Sequence, residues 1–260
     1  MVSIAALKQT FAANPTVEYQ CLGTVNLYSQ SSLDGLATQA IAGRQLRILT
    51  LPLTDAGELA EKAVRVCLCE DDYPGWLAVE DLDLIEEAET PYRAIALSAE
   101  QIGDRLSSVI SFAHQAMHQP NRYLWGGTAG PNYDCSGLMQ ASFLSADIWL
   151  PRDAYQQAAF TRETLPQTWM DRVPESLSEA WFAWVKPGDL IFFGDAERIT
   201  HVGLYLGEGQ YIHSSGKDKG RNGIGIDTLY PSDDPVSRGY YELLKGAGRV
   251  VKCYQPTGTP

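Results

Sequence analysis

The chain has 260 residues, of which 45% are hydrophobic and 20% charged, and carries a net charge of −12. That length allows one large domain or two modest ones, and the composition is ordinary for a globular protein. The acidic balance, with no basic cluster, excludes nucleic acid and anionic membranes or wall polymers as electrostatic partners, and no apolar stretch approaches the length of about 18 residues needed for a membrane span.

Residues 1–15 read as an N-terminal extension. Lys8 interrupts its one apolar run and no basic region precedes it, which makes a poor secretory signal. The five cysteines (Cys21, Cys67, Cys69, Cys135 and Cys253) are odd in number and fit no disulfide framework. A reducing, cytoplasmic setting is the expectation. Cys67 and Cys69 are read as half-buried positions on one face of a strand; no other Cys or His lies near them in sequence, so no metal is expected there.

Residues 16–87 read as a small β-barrel. Val17–Tyr28, Gln45–Leu51 and Val64–Glu70 are rich in β-branched and aromatic residues, with loops at Ser29–Gly35 and Thr54–Lys62. Asp71-Asp72-Tyr73-Pro74-Gly75 is a turn signal, followed by a last strand at Trp76–Leu82. Residues 88–99 form a linker punctuated by Thr90-Pro91. A helical period runs from Ser98 to Gln119, with Leu106, Val109, Ile110 and Ala113 on one face. The Tyr123-Leu124-Trp125-Gly126-Gly127 turn precedes Asp134-Cys135-Ser136-Gly137, which opens an uncharged helix ending near Asp147. Residues 151–184 are irregular, with Tyr155, Phe160, Trp169, Trp181, Phe182 and Trp184 either walling a cleft or filling a core. Then come the turn and apolar strand Pro187–Phe193, a hairpin at His201–Ser214, and strands at Gly223–Asp227 and Gly248–Tyr254. Helices followed by an antiparallel sheet make residues 100–256 an α+β domain.

Cys135 at the first turn of its helix meets unpaired N–H groups and the positive end of the helix dipole, which favour the thiolate, a nucleophile. Two of the four histidines, His201 and His213, lie in the hairpin. A two-residue Glu208-Gly209 turn sends them to opposite faces. A three-residue loop, Gly207–Gly209, pairs Leu206 with Gln210 and brings both histidines to one face, roughly 7–8 Å apart, and a bulge achieves the same. In that register His201 takes the Cys135 proton and His213 orients His201, with Gly203 leaving open space opposite His213. His114 and His118 stand at i, i+4 on a helix, but without an intervening Glu or a third ligand they read as a solvated face.

These motifs, in this order, resemble the NlpC/P60 family of papain-like cysteine peptidases: Tyr123–Gly127, Asp134–Gly137, Pro187-Gly188-Asp189-Leu190-Ile191-Phe192-Phe193, His201-Val202-Gly203-Leu204-Tyr205-Leu206-Gly207 and His213. The N-terminal segment resembles a bacterial SH3-like (SH3b) domain through Asn26-Leu27-Tyr28, Leu36-Ala37-Thr38-Gln39 and Gly75-Trp76-Leu77. The resemblance implies that Cys135 is the nucleophile, His201 the base and His213 its orienter, with Tyr123 joining the Cys135 backbone N–H at the oxyanion. It implies cleavage of the γ-D-glutamyl–diaminopimelate bond in murein stem peptides bearing a free N-terminal L-alanine, in cell-wall peptide recycling. No cofactor and no metal are expected. A closed pocket for the alanine ammonium calls for carboxylate and hydroxyl acceptors, for which Asp134, Ser136 and Tyr73 are the candidates. Asp134 is equally suited to cap its helix. A monomer is the expected oligomeric state. The alternative is a secreted wall hydrolase whose SH3b domain holds intact peptidoglycan.

Overall fold

The computed structural model describes residues 2–54, 60–163 and 175–259. The chain divides into two compact units. The first comprises residues 1–94, 125–129 and 255–260; the second comprises residues 95–124 and 130–254.

The first unit opens with a helix, α1 (Ile4–Ala13), where the sequence suggested only an extension. The Ser3 hydroxyl accepts the Ala6 N–H as its N-cap. Ile4, Leu7 and Phe11 share a face that packs into the core, with Leu7 fully buried. Seven antiparallel strands follow. The first four are β1 (Glu18–Cys21), β2 (Val25–Tyr28), β3 (Leu36–Ala40) and β4 (Gln45–Thr50). The others are β5 (Ala63–Leu68), β6 (Pro74–Ala78) and β7 (Ile85–Glu87). Their order is β3-β2-β6-β5-β4-β1-β7, around one core. The single strand expected over Val17–Tyr28 is two, because β1 pairs with β4 and β7 whereas β2 pairs with β3 and β6. The strand expected to reach Leu82 stops at Ala78. Val79–Leu84 is a 3₁₀ helix that drops Leu82 into the core. Part of the expected Thr54–Lys62 loop lies outside the described residues. Cys67 and Cys69 are fully rather than half buried, and burial raises the Cys67 thiol to about 11. Arg44 lies buried between Glu70 (3.1 Å) and Asp71 (3.0 Å).

The second unit begins with α2 (Ala99–Met117), opened by a Ser98/Gln101 capping box, and α3 (Cys135–Leu144). The segment after residue 150 is not irregular throughout. It holds α4 (Ala154–Phe160), a short strand β8 (Arg162–Glu163) and α5 (Glu179–Trp184). Trp169 lies outside the described residues. The sheet continues with β9 (Leu190–Gly194), β10 (Ile199–Gly207), β11 (Gln210–Ser215) and β12 (Gly223–Thr228). A further helix, α6 (Pro235–Tyr241), precedes β13 (Leu244–Arg249). The last strand therefore ends where it was expected to begin. The six strands run antiparallel in the order β12-β11-β10-β9-β13-β8.

Strand alternation builds two cores. Leu190, Phe192, Val202, Leu204 and Ile212 face one side, against Val109 and Ala113 of α2 and Leu138, Met139 and Phe143 of α3. Ile191, Phe193, Tyr205 and Tyr211 face the other, against Trp181 of α5 and Tyr240 of α6. Trp181 thus fills a core, whereas Tyr155 and Trp184 are exposed.

Candidate active site

α3 is buried along nearly its whole length, as its uncharged sequence requires. The Asp134 carboxylate accepts the Gly137 N–H at 2.7 Å and caps it. The same carboxylate meets Arg152 through both oxygens, Nη2–Oδ2 at 2.5 Å and Nη1–Oδ1 at 3.2 Å. Arg152 also donates to the Ser136 hydroxyl at 2.9 Å. All three residues are buried. Arg152, which carried no expected role, is therefore the counter-ion of Asp134. Desolvation makes an ion pair this deep costly to form, but losing one partner leaves a buried charge and costs about 3–5 kcal/mol.

The Cys135 sulfur lies at the N-terminus of α3, where the backbone N–H groups of Ser136 and Val202 point at it. Val202 immediately follows His201 in β10, so the helix terminus and the histidine strand meet at this sulfur. Burial pushes the Cys135 thiol up to about 12; the nearby Asp134 adds to the rise, while the two N–H groups and Arg152 oppose it. The expected preference for thiolate is therefore reversed in the resting site, because the sulfur has lost its water. Tyr123 is half-buried; burial, then the neighbouring Cys135 and Asp134, hold its phenol protonated and able to donate.

The hairpin reaches a shared histidine face by a bulge rather than a three-residue loop. Glu208 and Gly209, both with positive φ (51° and 73°), make a two-residue turn, and Gly207 pairs with Gln210. The register then shifts at Leu206, so Tyr205 faces Tyr211 and Leu204 faces Ile212. Continued, that register sets Gly203 opposite His213. The space there is not open: a Cβ on Gly203 would lie 2.8 Å from the Tyr211 ring and 3.3 Å from the His213 Cβ. Glycine is needed for close approach, not for room.

His201 Nε2 and His213 Nδ1 are 2.7 Å apart. Burial lowers the pKa of both rings, that of His201 well below the usual histidine range. The Tyr240 ring stacks on His201 at 4.4 Å between centroids, and its hydroxyl bonds Ser215 at 2.8 Å. Beyond His213 lies a carboxylate not foreseen from the sequence, Asp227 Oδ2, at 2.6 Å from Nε2. The available signal was one acid ending the otherwise apolar and glycine run Gly223–Asp227. Asp227 also binds Arg221 and accepts from the Ser237 hydroxyl at 2.8 Å.

Tyr73, half-buried, lies in the turn between β5 and β6 of the first unit. His114 is half-buried on α2 and His118, its C-cap, is exposed. Among the described residues no group of three or more His, Cys, Asp or Glu side chains is arranged to hold a metal.

A thiol at a helix N-terminus, packed against a histidine-bearing antiparallel sheet, defines a papain-like α+β domain. Residues 120–237 match the NlpC/P60 family, and residues 27–82 match the bacterial dipeptidyl-peptidase Sh3 domain. The chain thus carries an NlpC/P60 domain behind an SH3-like domain. It is 35% identical over 138 residues to a probable endopeptidase p60 of Listeria monocytogenes, covering 53% of this chain and 23% of that protein. It is 40% identical over 95 residues to a γ-D-glutamyl-L-lysine dipeptidyl-peptidase of Bacillus subtilis, covering 35% of this chain and 27% of that protein. The chain spans about a quarter of the length of these relatives. Among solved structures, an NlpC/P60 family protein from Bacillus cereus aligns with 94% of this chain and 66% of its own, at 21% identity and a TM-score of 0.44.

Proposed function

We propose that this protein is a cysteine peptidase that hydrolyses the γ-D-glutamyl–diamino acid bond of murein stem peptides with a free N-terminal L-alanine. The observation that carries this reading is the meeting of the Cys135 sulfur, at the N-terminus of α3, with the strand that bears the bonded His201–His213 pair. Support for the substrate comes from the match of residues 27–82 to an SH3 domain of dipeptidyl-peptidases and from the B. subtilis relative.

In the proposed reaction the Cys135 thiol gives its proton to His201 as the sulfur attacks the γ-carbonyl carbon. The Cys135 backbone N–H, which has no intrahelical acceptor, and the Tyr123 hydroxyl hold the oxyanion. Collapse breaks the C–N bond, and the protonated His201 returns its proton to the departing amine. Water, deprotonated by His201, then cleaves the thioester and frees L-Ala-γ-D-Glu. Asp134 and Ser136 are proposed as acceptors for the alanine ammonium, with Asp134 keeping Arg152 as its fixed counter-ion. The five free, buried thiols and the net charge of −12 suit a soluble enzyme in a reducing compartment that recycles free peptides.

Mass spectrometry of products from an L-Ala-γ-D-Glu-diamino acid tripeptide tests this. Wild type releases the dipeptide; Cys135→Ala releases none. Acetylating the alanine amine abolishes turnover. A second reading, a wall hydrolase acting on intact peptidoglycan, draws on the p60 relatives. It predicts binding to sacculi and tolerance of the blocked amine.

A further inference from the structure

Asp227 is buried, ends a chain of short hydrogen bonds, and has no part in the reaction as written above. Resting on that reaction, we propose that Asp227 is a positioning residue: it fixes the tautomers of His213 and then His201, so that the bare nitrogen of His201 is Nδ1, the one that serves as base.

The argument counts protons. Asp227 Oδ1 receives Arg221 Nη2 and the Ser237 hydroxyl; Oδ2 faces His213 Nε2 and Arg221 Nε. Burial works against its charge, but bonds from His213, Arg221 and Ser237 outweigh it and hold the carboxyl well below the usual range. An ionised carboxylate only accepts, so His213 Nε2 carries a hydrogen. His213 is neutral because burial disfavours its charge, so its Nδ1 is bare. The contact from His213 Nδ1 to His201 Nε2 then needs a hydrogen on His201 Nε2. A neutral His201 is left with a lone pair on Nδ1 alone. When Nδ1 takes the thiol proton, the resulting imidazolium donates a stronger bond to His213, and the Asp227 charge stabilises it from two bonds away.

The surroundings of the relay bear on its pH dependence. α6 contributes Tyr240 against both rings, and its N-cap Asp234 pairs with Arg221. β11 contributes Tyr211, packed on His213. Lys219 lowers the pKa of His201 further, and Cys135 acts on Tyr240.

Asp227→Asn is the informative variant. The Asn amide donates to His213 Nε2, moving the His213 hydrogen to Nδ1, which then donates to His201 Nε2 and forces the hydrogen of His201 onto Nδ1. The base is lost while the shape is kept. The expected result on the stem tripeptide is a kcat lower by about 10²–10⁴-fold, the size of a general acid–base contribution, with KM little changed. The acid limb of the pH profile moves to lower pH as His201 loses its supporting charge. ¹⁵N NMR of the wild type, selectively labelled at histidine, reads the tautomers without mutation and covers an Asn variant that fails to fold. His201 is expected with a protonated Nε2 and a bare Nδ1. A protonated Nδ1 there, or a folded Asp227→Asn with unchanged kcat and pH profile, overturns the inference. If Cys135→Ala remains active in parallel, the underlying reaction fails instead.

Discussion

At the residue scale the site is governed by loss of water. Cys135 has the helix terminus and N–H donors that the motif promised, yet burial leads and lifts its thiol to about 12. His201 is pushed the opposite way by the same cause. In the proposed reaction the resting groups are therefore a neutral thiol and a neutral imidazole, and the proton moves only as the sulfur attacks. Alkylation of Cys135 by iodoacetamide in the free enzyme should accordingly be slow at pH 7 and still rising at pH 10. A plateau already reached near neutrality would mean a preformed thiolate–imidazolium pair. Asp134 shows a related limit of sequence reading. Its N-cap position was legible from the motif, but its partner Arg152, 18 residues away, could be found only once the chain had folded.

At the element scale the hairpin decides whether the two histidines meet. The sequence allowed a three-residue loop or a bulge, because both keep His201 and His213 on one face. The positive φ of Glu208 and Gly209 selects the two-residue turn, and the shift at Leu206 restores the register. Gly203→Ala tests this pairing. Its Cβ would stand 2.8 Å from the Tyr211 ring, so Tyr211 and the adjacent His213 must give way. Overpacking of this kind costs about 1–3 kcal/mol. The expected outcome is a lower urea midpoint together with a loss of kcat larger than any change in KM; an unaltered kcat would show that this close approach does not set the histidine geometry. Other elements were less legible. α1 and α6 are short helices whose faces are defined by the cores they cover, and short amphipathic segments carry little helical signal alone. Val17–Tyr28 looked like one strand because neither of its halves reveals which neighbours it will pair with.

At the scale of the whole molecule, stability and activity share the buried histidines. The folded pKa values of His201 and His213 lie below the unfolded value of about 6.5. Below that value the unfolded chain binds protons that the folded one does not, so stability is full above it and falls as the pH drops toward the folded values. The depressed pKa of Asp227 acts with the same sign at lower pH, its contribution being lost as the pH falls below about 3.9. Urea midpoints should therefore be level between about pH 6.5 and pH 8.5, where the unfolded thiols begin to ionise, and decline below about pH 6.5, and His213→Gln should flatten that acid decline. A midpoint constant from pH 7 to 5 in the wild type would contradict the burial of neutral rings. The sequence by itself determined the two-part organisation, the cysteine, the histidine pair and the helix cap, because these depend on local order and spacing: a motif before a helix, alternation in a strand, a turn after a barrel-like run. Only the tertiary structure decided what those groups experience. Arg152 reaches Asp134, Asp227 reaches His213 and Tyr240 covers His201 from distant segments. Hydrogen-bond partners and desolvation are properties of packed neighbours rather than of chain order, and here they set the protonation of Cys135, His201, His213 and Asp227.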